Sequence, residues 1–305
     1  MKKCMLILLI PYVLSAFESN DSISTKSYKA DEVIVIDDKF DVNEKNAIKI
    51  LSSTDDLLKY NNSVDLIRRA NFASEPMIRG FSQKRLNVTI DGMRMFSACT
   101  DKMDPITSYI EVENIKSSEV SADKTDMSNG TSIGGSLNFI TNKPIFGNHF
   151  GIVLDNRYSS ASEFYNSKGK ASFSEDNYSL LASYSIKNAN DYKAGNYTLI
   201  NNSGYKKENV KFNLSNQLNE NNTQGLEYIY DHSADVGFPS LIMDTRNTEM
   251  HLLSYQLDFK NLSDNIIDWD SKVYYNYISH LMDDFDRSNE EIENRAIMPG
   301  MHMPM

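Results

Sequence analysis

Soft metal-donor side chains gather at two places in this 305-residue chain. The stretch SACTDKMDP at 97–105 sets a thiol, Cys99, four positions before a thioether, Met103. The stretch AIMPGMHMPM at 296–305 adds Met298, Met301, His302, Met303 and Met305. Thiolate, thioether and imidazole are soft to borderline donors that suit Cu(I) and serve hard cations poorly. Zinc favours Cys and His with carboxylates and rarely takes Met. Taken alone, a Cys and a Met four apart arise by chance in most proteins, and a lone thiol often behaves as a small apolar group. Asp101 and Asp104 read as turn formers rather than ligands. His232, His251 and His280 read as structural residues on strands or at strand ends.

What the thiol can do depends on its compartment. Met1-Lys2-Lys3, the apolar run CMLILLIPYVL and Ser15-Ala16 have the basic, apolar and small-residue order of a secretory signal peptide over residues 1–16. The apolar run is too short to span a bilayer and contains Pro11. Of the two cysteines, Cys4 falls inside that segment, so the exported protein keeps Cys99 and cannot close an internal disulfide. A net charge of -11 argues against a nucleic-acid partner and fits a surface that attracts cations.

The elements that must position these donors change in texture along the chain. Residues 17–40 are polar, with one short β-branched run inside DEVIVIDD. Residues 41–145 read as a compact mixed α+β domain. DDLLKYN and NSVDLIRRA there have helical spacing, with Ser63 capping the second. Leu86, Val88 and Ile90 then alternate into the turn pair Asp91-Gly92. YIEVENIKSSEVSAD suggests a short helical turn and a strand, and a glycine-rich turn leads to a final strand at 137–141.

From 146 to 305 every strand-length segment alternates between an apolar or aromatic series and a polar one. Seven such strands are expected, at 150–158, 165–173, 178–187, 210–218, 226–232, 251–259 and 269–277. Short links at 174–177, 219–222 and 261–266 contrast with longer ones at 190–205, at 234–248 and after Met282. Alternating short and long links between dyad-repeat strands describe an outer-membrane β-barrel. A soluble β-sandwich also alternates but has no need of the long–short regularity. Such barrels need an even number of strands and at least eight, so the chain is expected to be a piece of a larger protein.

Three segments carry a resemblance to the TonB-dependent outer-membrane receptors: IRGFSQKRLNVTIDGMRM (78–95), IEVENIKSSEVSAD (110–123) and GGSLNFITNKP (134–144). All three are similar to that family's plug domain. The resemblance implies an α+β plug domain followed by an antiparallel transmembrane β-barrel, of which about seven strands are present. It implies an import receptor of the Gram-negative outer membrane, monomeric and not an enzyme. DEVIVI then sits where the family keeps its energy-coupling strand: Asp31, Glu32, Val33, Ile34, Val35 and Ile36, captured by a periplasmic TonB-like protein through strand addition.

SACTDKMDPITSYIE and DVGFPSLIMD (235–244) resemble the branch of the family that takes up copper. The resemblance implies a Cys–Met pair in the plug and a His-x-Met pair from an extracellular loop, with copper as cargo and no catalytic cofactor. The plug pair would be Cys99 and Met103. In the loop, His302 is followed two positions on by Pro304, so Met301, Met303 or Met305 would have to serve beside it. A receptor for a chelate such as a siderophore or haem, or a nonfunctional receptor fragment, are the alternatives.

Overall fold

The computed structural model describes residues 38–41, 51–99, 103–121, 132–263 and 266–296. The signal peptide, the coupling strand at 31–36 and the donors Met301, His302, Met303 and Met305 lie outside them.

Two sheets organise the described chain. The plug is built on a five-stranded sheet in the order β1(Asp38–Asp41), β6(Ile115–Ser121), β7(Ser136–Thr141), β4(Asn87–Ile90), β5(Met93–Arg94). Its apolar face, with Val88, Ile90, Val120, Leu137 and Phe139, packs on Leu57 and Leu58 of the short helix α1(Thr54–Leu58). Ser53 caps α1 by accepting the Asp56 N–H. Asp91 and Gly92 take φ of 50° and 76°, the left-handed pair that a two-residue hairpin turn needs between β4 and β5. β1 straddles the boundary expected at 40/41 and pairs with β6 as an edge of the plug sheet.

NSVDLIRRA is not helical. Val64–Arg68 form β2, paired antiparallel with β3(Ser74–Ile78) through five successive residues. Ser63 donates its N–H to the Asn61 side chain and caps nothing helical. The apolar residues fit either period over so short a segment. The strand partner that begins six residues after β2 ends, supplied by tertiary pairing, decides the outcome.

The second sheet is a seven-stranded antiparallel meander: β8(His149–Ser159), β9(Phe164–Ser174), β10(Tyr178–Ala189), β11(Tyr205–Asn219), β12(Asn222–Val236), β13(Asp244–Ser263) and β14(Ile266–Asp283). All seven expected strands are present. The last four run longer than expected: the ends of β11, β12 and β13 carry polar residues on both faces, and those of β14 carry apolar residues on both, Ile266-Ile267 and Leu281-Met282, so neither alternates. The expected long link at 234–248 shrinks to 237–243 for that reason. Tyr178, Leu180, Tyr184 and Ile186 of β10 face outward, whereas Ser179, Ser183, Ser185 and Lys187 are buried on the inner side. Polar-in, apolar-out is the arrangement of a barrel wall in lipid. The short turns 175–177 and 220–221 mark one end of the wall, and the connections 160–163, 190–204 and 237–243 mark the other.

The plug lies against the inner face of this wall. Inward Ile229, Met250 and Leu252 join the plug's apolar core. Buried polar groups make the rest of the contact. The Glu111 carboxylate takes both Lys187 and Lys207, with Lys207 Nζ at 2.6 Å from Oε1. Lys207 also reaches Asp231 at 3.1 Å. A second cluster joins Lys143 to Asp91 at 3.0 Å and to Glu227 at 2.8 Å, with Lys211 completing it on the wall. Burial works against ionisation of Glu111, but the two ammonium groups outweigh it and hold its carboxyl at about 2.

Candidate functional site

Cys99 and Met103 sit in one small apolar cluster at the long-loop end. Met103 is buried together with Ala70, Val236 and Phe238. Cys99, Phe72, Tyr205, Leu241 and Met282 pack against them. The cluster therefore joins the plug to the ends of β12 and β14 and to the 237–243 loop.

A carboxylate shapes the plug side. Asp104 is almost wholly buried, and its oxygens accept the N–H groups of Ala98 at 2.7 Å and Cys99 at 3.0 Å. The Tyr109 hydroxyl donates to the same carboxylate. Burial, with the Asp104 charge beside it, pushes the Tyr109 phenol well above its usual range, so it stays protonated and donating. The turn-forming reading of Asp104 holds: it folds the chain back so that Cys99 and Met103 enter one cluster.

On the wall side, Phe238 is held by its backbone. Its N–H donates to Asp244 at 2.9 Å, and its carbonyl accepts from the fully buried Arg287 at 2.9 Å. Arg287 also donates to Asp244 through Nε at 2.8 Å. This clamp fastens the segment after β14 to the 237–243 loop and so fixes the end of β14, where Met282 lies. Nearby, Asp191, Asp235, Asp244 and Asp286 line a cleft of about 320 Å³ together with Arg246 and Gly237. Three of these carboxylates are ion-paired: Asp244 with Arg287, Asp286 with Arg246, and Asp235 with Lys206 at 2.9 Å.

The structure brings in a residue pair that the sequence reading left aside. His280 and Met282 point to the inner side of β14, while Leu281 between them is 59% exposed on the outer side. Met282 joins the Cys99–Met103 cluster. The His280 ring lies in the electrostatic field of Asp104 and is fixed by the Thr248 hydroxyl at 2.7 Å from Nδ1. His280-Leu281-Met282 has a His-x-Met spacing, and a strand puts positions two apart on one face. The motif was hidden inside an alternating strand pattern that already accounted for both residues. Among the described residues no group of three or more His, Cys, Asp or Glu is placed to hold a metal ion. The donors that meet in the cluster are one thiol and two thioethers, Cys99, Met103 and Met282.

Residues 43–136 match the family described as TonB-dependent Receptor Plug Domain. The chain carries a TonB-dependent receptor plug and the plug-and-barrel fold of those receptors. Among solved structures it is similar to the copper transporter OprC, with a TM-score of 0.73 at 23% identity over 82% of this chain and 38% of that one. It is also similar to the Serratia marcescens hemophore receptor HasR, solved with its hemophore and haem, with a TM-score of 0.69 at 18% identity over 81% and 38% of the two chains. The FrpB iron transporter of Neisseria meningitidis follows with a TM-score of 0.64 at 16% identity over 77% and 38%. At these identities the likeness shows a shared fold. The chain spans about 38% of the length of these relatives. No curated protein sequence matches it.

Proposed function

We propose that this chain is the plug and first barrel strands of an outer-membrane import receptor whose cargo is copper. The observation that carries the reading is the meeting of Cys99, Met103 and Met282 in one cluster at the long-loop end, with His280 on the same face of β14. One thiol, two thioethers and an imidazole make a soft donor set suited to Cu(I). The fold shared with a copper transporter agrees. Met301, His302, Met303 and Met305 remain candidates for further capture of the ion from solution.

In this reading the ion leaves water as Cys99 and Met103 of the plug and His280 and Met282 of the wall close on it. Occupation biases the plug, and a TonB-like partner adds a strand at 31–36 and draws the plug toward the short-turn end. The test is copper accumulation in cells expressing the full-length receptor, with and without the TonB-like partner. Accumulation that depends on both the receptor and the partner supports the reading. Receptor-dependent uptake of a ferric siderophore or haem without copper uptake overturns the cargo.

A further inference from the structure

The inner wall carries five lysines on three neighbouring strands: Lys168 and Lys170 on β9, Lys187 on β10, and Lys207 and Lys211 on β11. Three of them hold carboxylates. Lys168 and Lys170 are half-buried, and neither makes an ion pair or side-chain hydrogen bond among the described residues. The carboxylate across from Lys168, Asp155, is already taken by Arg157 at 2.7 Å. An ammonium drawn from water without a dedicated partner opposes folding, so the two lysines have room for a further carboxylate.

The plug presents a carboxylate that is only half used. Glu113 Oε1 accepts from Asn166 at 3.2 Å and lies 3.7 Å from Arg157. Its Oε2 is buried with no partner. Strand register shows how these groups are spaced. Arg157, Asn166 and Lys187 form one inward row across β8, β9 and β10. The next row toward the short-turn end is Asp155, Lys168 and Ser185, and the one after it is Val153, Lys170 and Ser183. Lys168 stands one row on from Asn166, the wall residue that donates to Glu113.

We propose that Lys168 and Lys170 are a second station for the Glu113 carboxylate, occupied when the plug advances one or two rows toward the short-turn end. Each row is about 7 Å along a strand. As the plug moves, Glu113 exchanges Arg157 and Asn166 for Lys168 and then Lys170, so the wall supplies a counter-charge along the path. The advance would otherwise leave the carboxylate without the partners it has now. The inference rests on the reading of the chain as a receptor whose plug is drawn from the short-turn end, and is independent of the cargo.

The test is a force clamp on the full-length receptor in a bilayer, pulled through the segment that precedes β1, with no copper present. The wild type is expected to pause after an advance of about 7–14 Å, one to two rows. Lys168→Met with Lys170→Met is expected to shorten that pause at least fivefold, and the paired Arg substitutions to restore it. Glu113→Gln, which keeps both lysines, is expected to shorten it as well. Absence of the pause in the wild type, or an unchanged pause in either the double Met variant or the Gln variant, overturns the station. Loss of copper binding in a separate titration would overturn the cargo and leave this result standing.

Discussion

The Asp104 carboxylate accepts the backbone N–H of Cys99 at 3.0 Å, tying the conformation of the thiol-bearing loop to a buried charge five residues on. The same group takes the Ala98 N–H and the Tyr109 hydroxyl, so one side chain sets both the fold of the loop and the direction of Cys99. Asp104→Ala leaves those three donors without their acceptor. Each buried unsatisfied group costs about 1–3 kcal/mol. We expect a clear fall in the thermal midpoint of the plug, together with Cu(I) affinity at least tenfold weaker. Asp104→Asn, which keeps one acceptor oxygen, should fall between the two. Calorimetry and titration on the same samples check both.

Glu111 is the centre of the plug–wall contact. Glu111→Gln strands Lys187 and Lys207 in a buried interface with one acceptor fewer. Removing one partner of a buried ion pair costs about 3–5 kcal/mol. Denaturant unfolding of the purified protein should show a loss of that size. A change under 1 kcal/mol would mean that Asp231 and the Ser108 carbonyl, which Lys207 also reaches, suffice for Lys207 and that Lys187 tolerates the loss of its carboxylate.

The same carboxylate gives a pH dependence with a definite sign. Its folded value of about 2 lies below its ordinary 4.5, so the unfolded chain binds the proton more readily. The stability it contributes, about 3 kcal/mol for a shift of this size, is fully present above the unfolded value and is lost as pH falls through the folded one. Plug stability should therefore decline between about pH 5 and pH 2, and Glu111→Gln should flatten that part of the curve. Melting curves across this range decide it.

Gly237 precedes Phe238 and lies against the backbone of Asn202, so a Cβ there would run into the Asn202 carbonyl. Its N–H also donates to the Gly204 carbonyl at 2.9 Å. Gly237→Ala has to push the 237–243 loop away from 190–204 and take Phe238 with it. We expect weaker Cu(I) binding with the barrel wall intact, read by circular dichroism and titration together.

How much of this was legible in the sequence differs by element. Alternation placed the wall strands because inward Ser, Lys and Asn and outward Tyr, Leu and Ile keep a period of two through the band that faces lipid. It stopped short of the ends of β12 and β13, where polar residues stand on both faces, and of β14, where Ile266-Ile267 and Leu281-Met282 put apolar residues on both. NSVDLIRRA misled because its partner β3 is set by tertiary pairing. Cys99 and Met103 stood out as rare soft donors in a polar stretch. His280 and Met282 did not, because a strand that alternates already explains a residue on either face. Only the fold places Met282 beside Cys99. Glu111 was equally silent, and Asp104 showed only as a turn former, since burial is what gives each of them its further role.

The most direct test is titration of Cu(I) into the full-length receptor in detergent, comparing wild type with Cys99→Ser and with Met282→Leu, and with Met243→Leu as a control outside the cluster. The account requires one tight site in the wild type, at least a hundredfold weaker binding in Cys99→Ser, at least tenfold weaker binding in Met282→Leu, and no change in the control. Equal affinity in wild type and Cys99→Ser would contradict it.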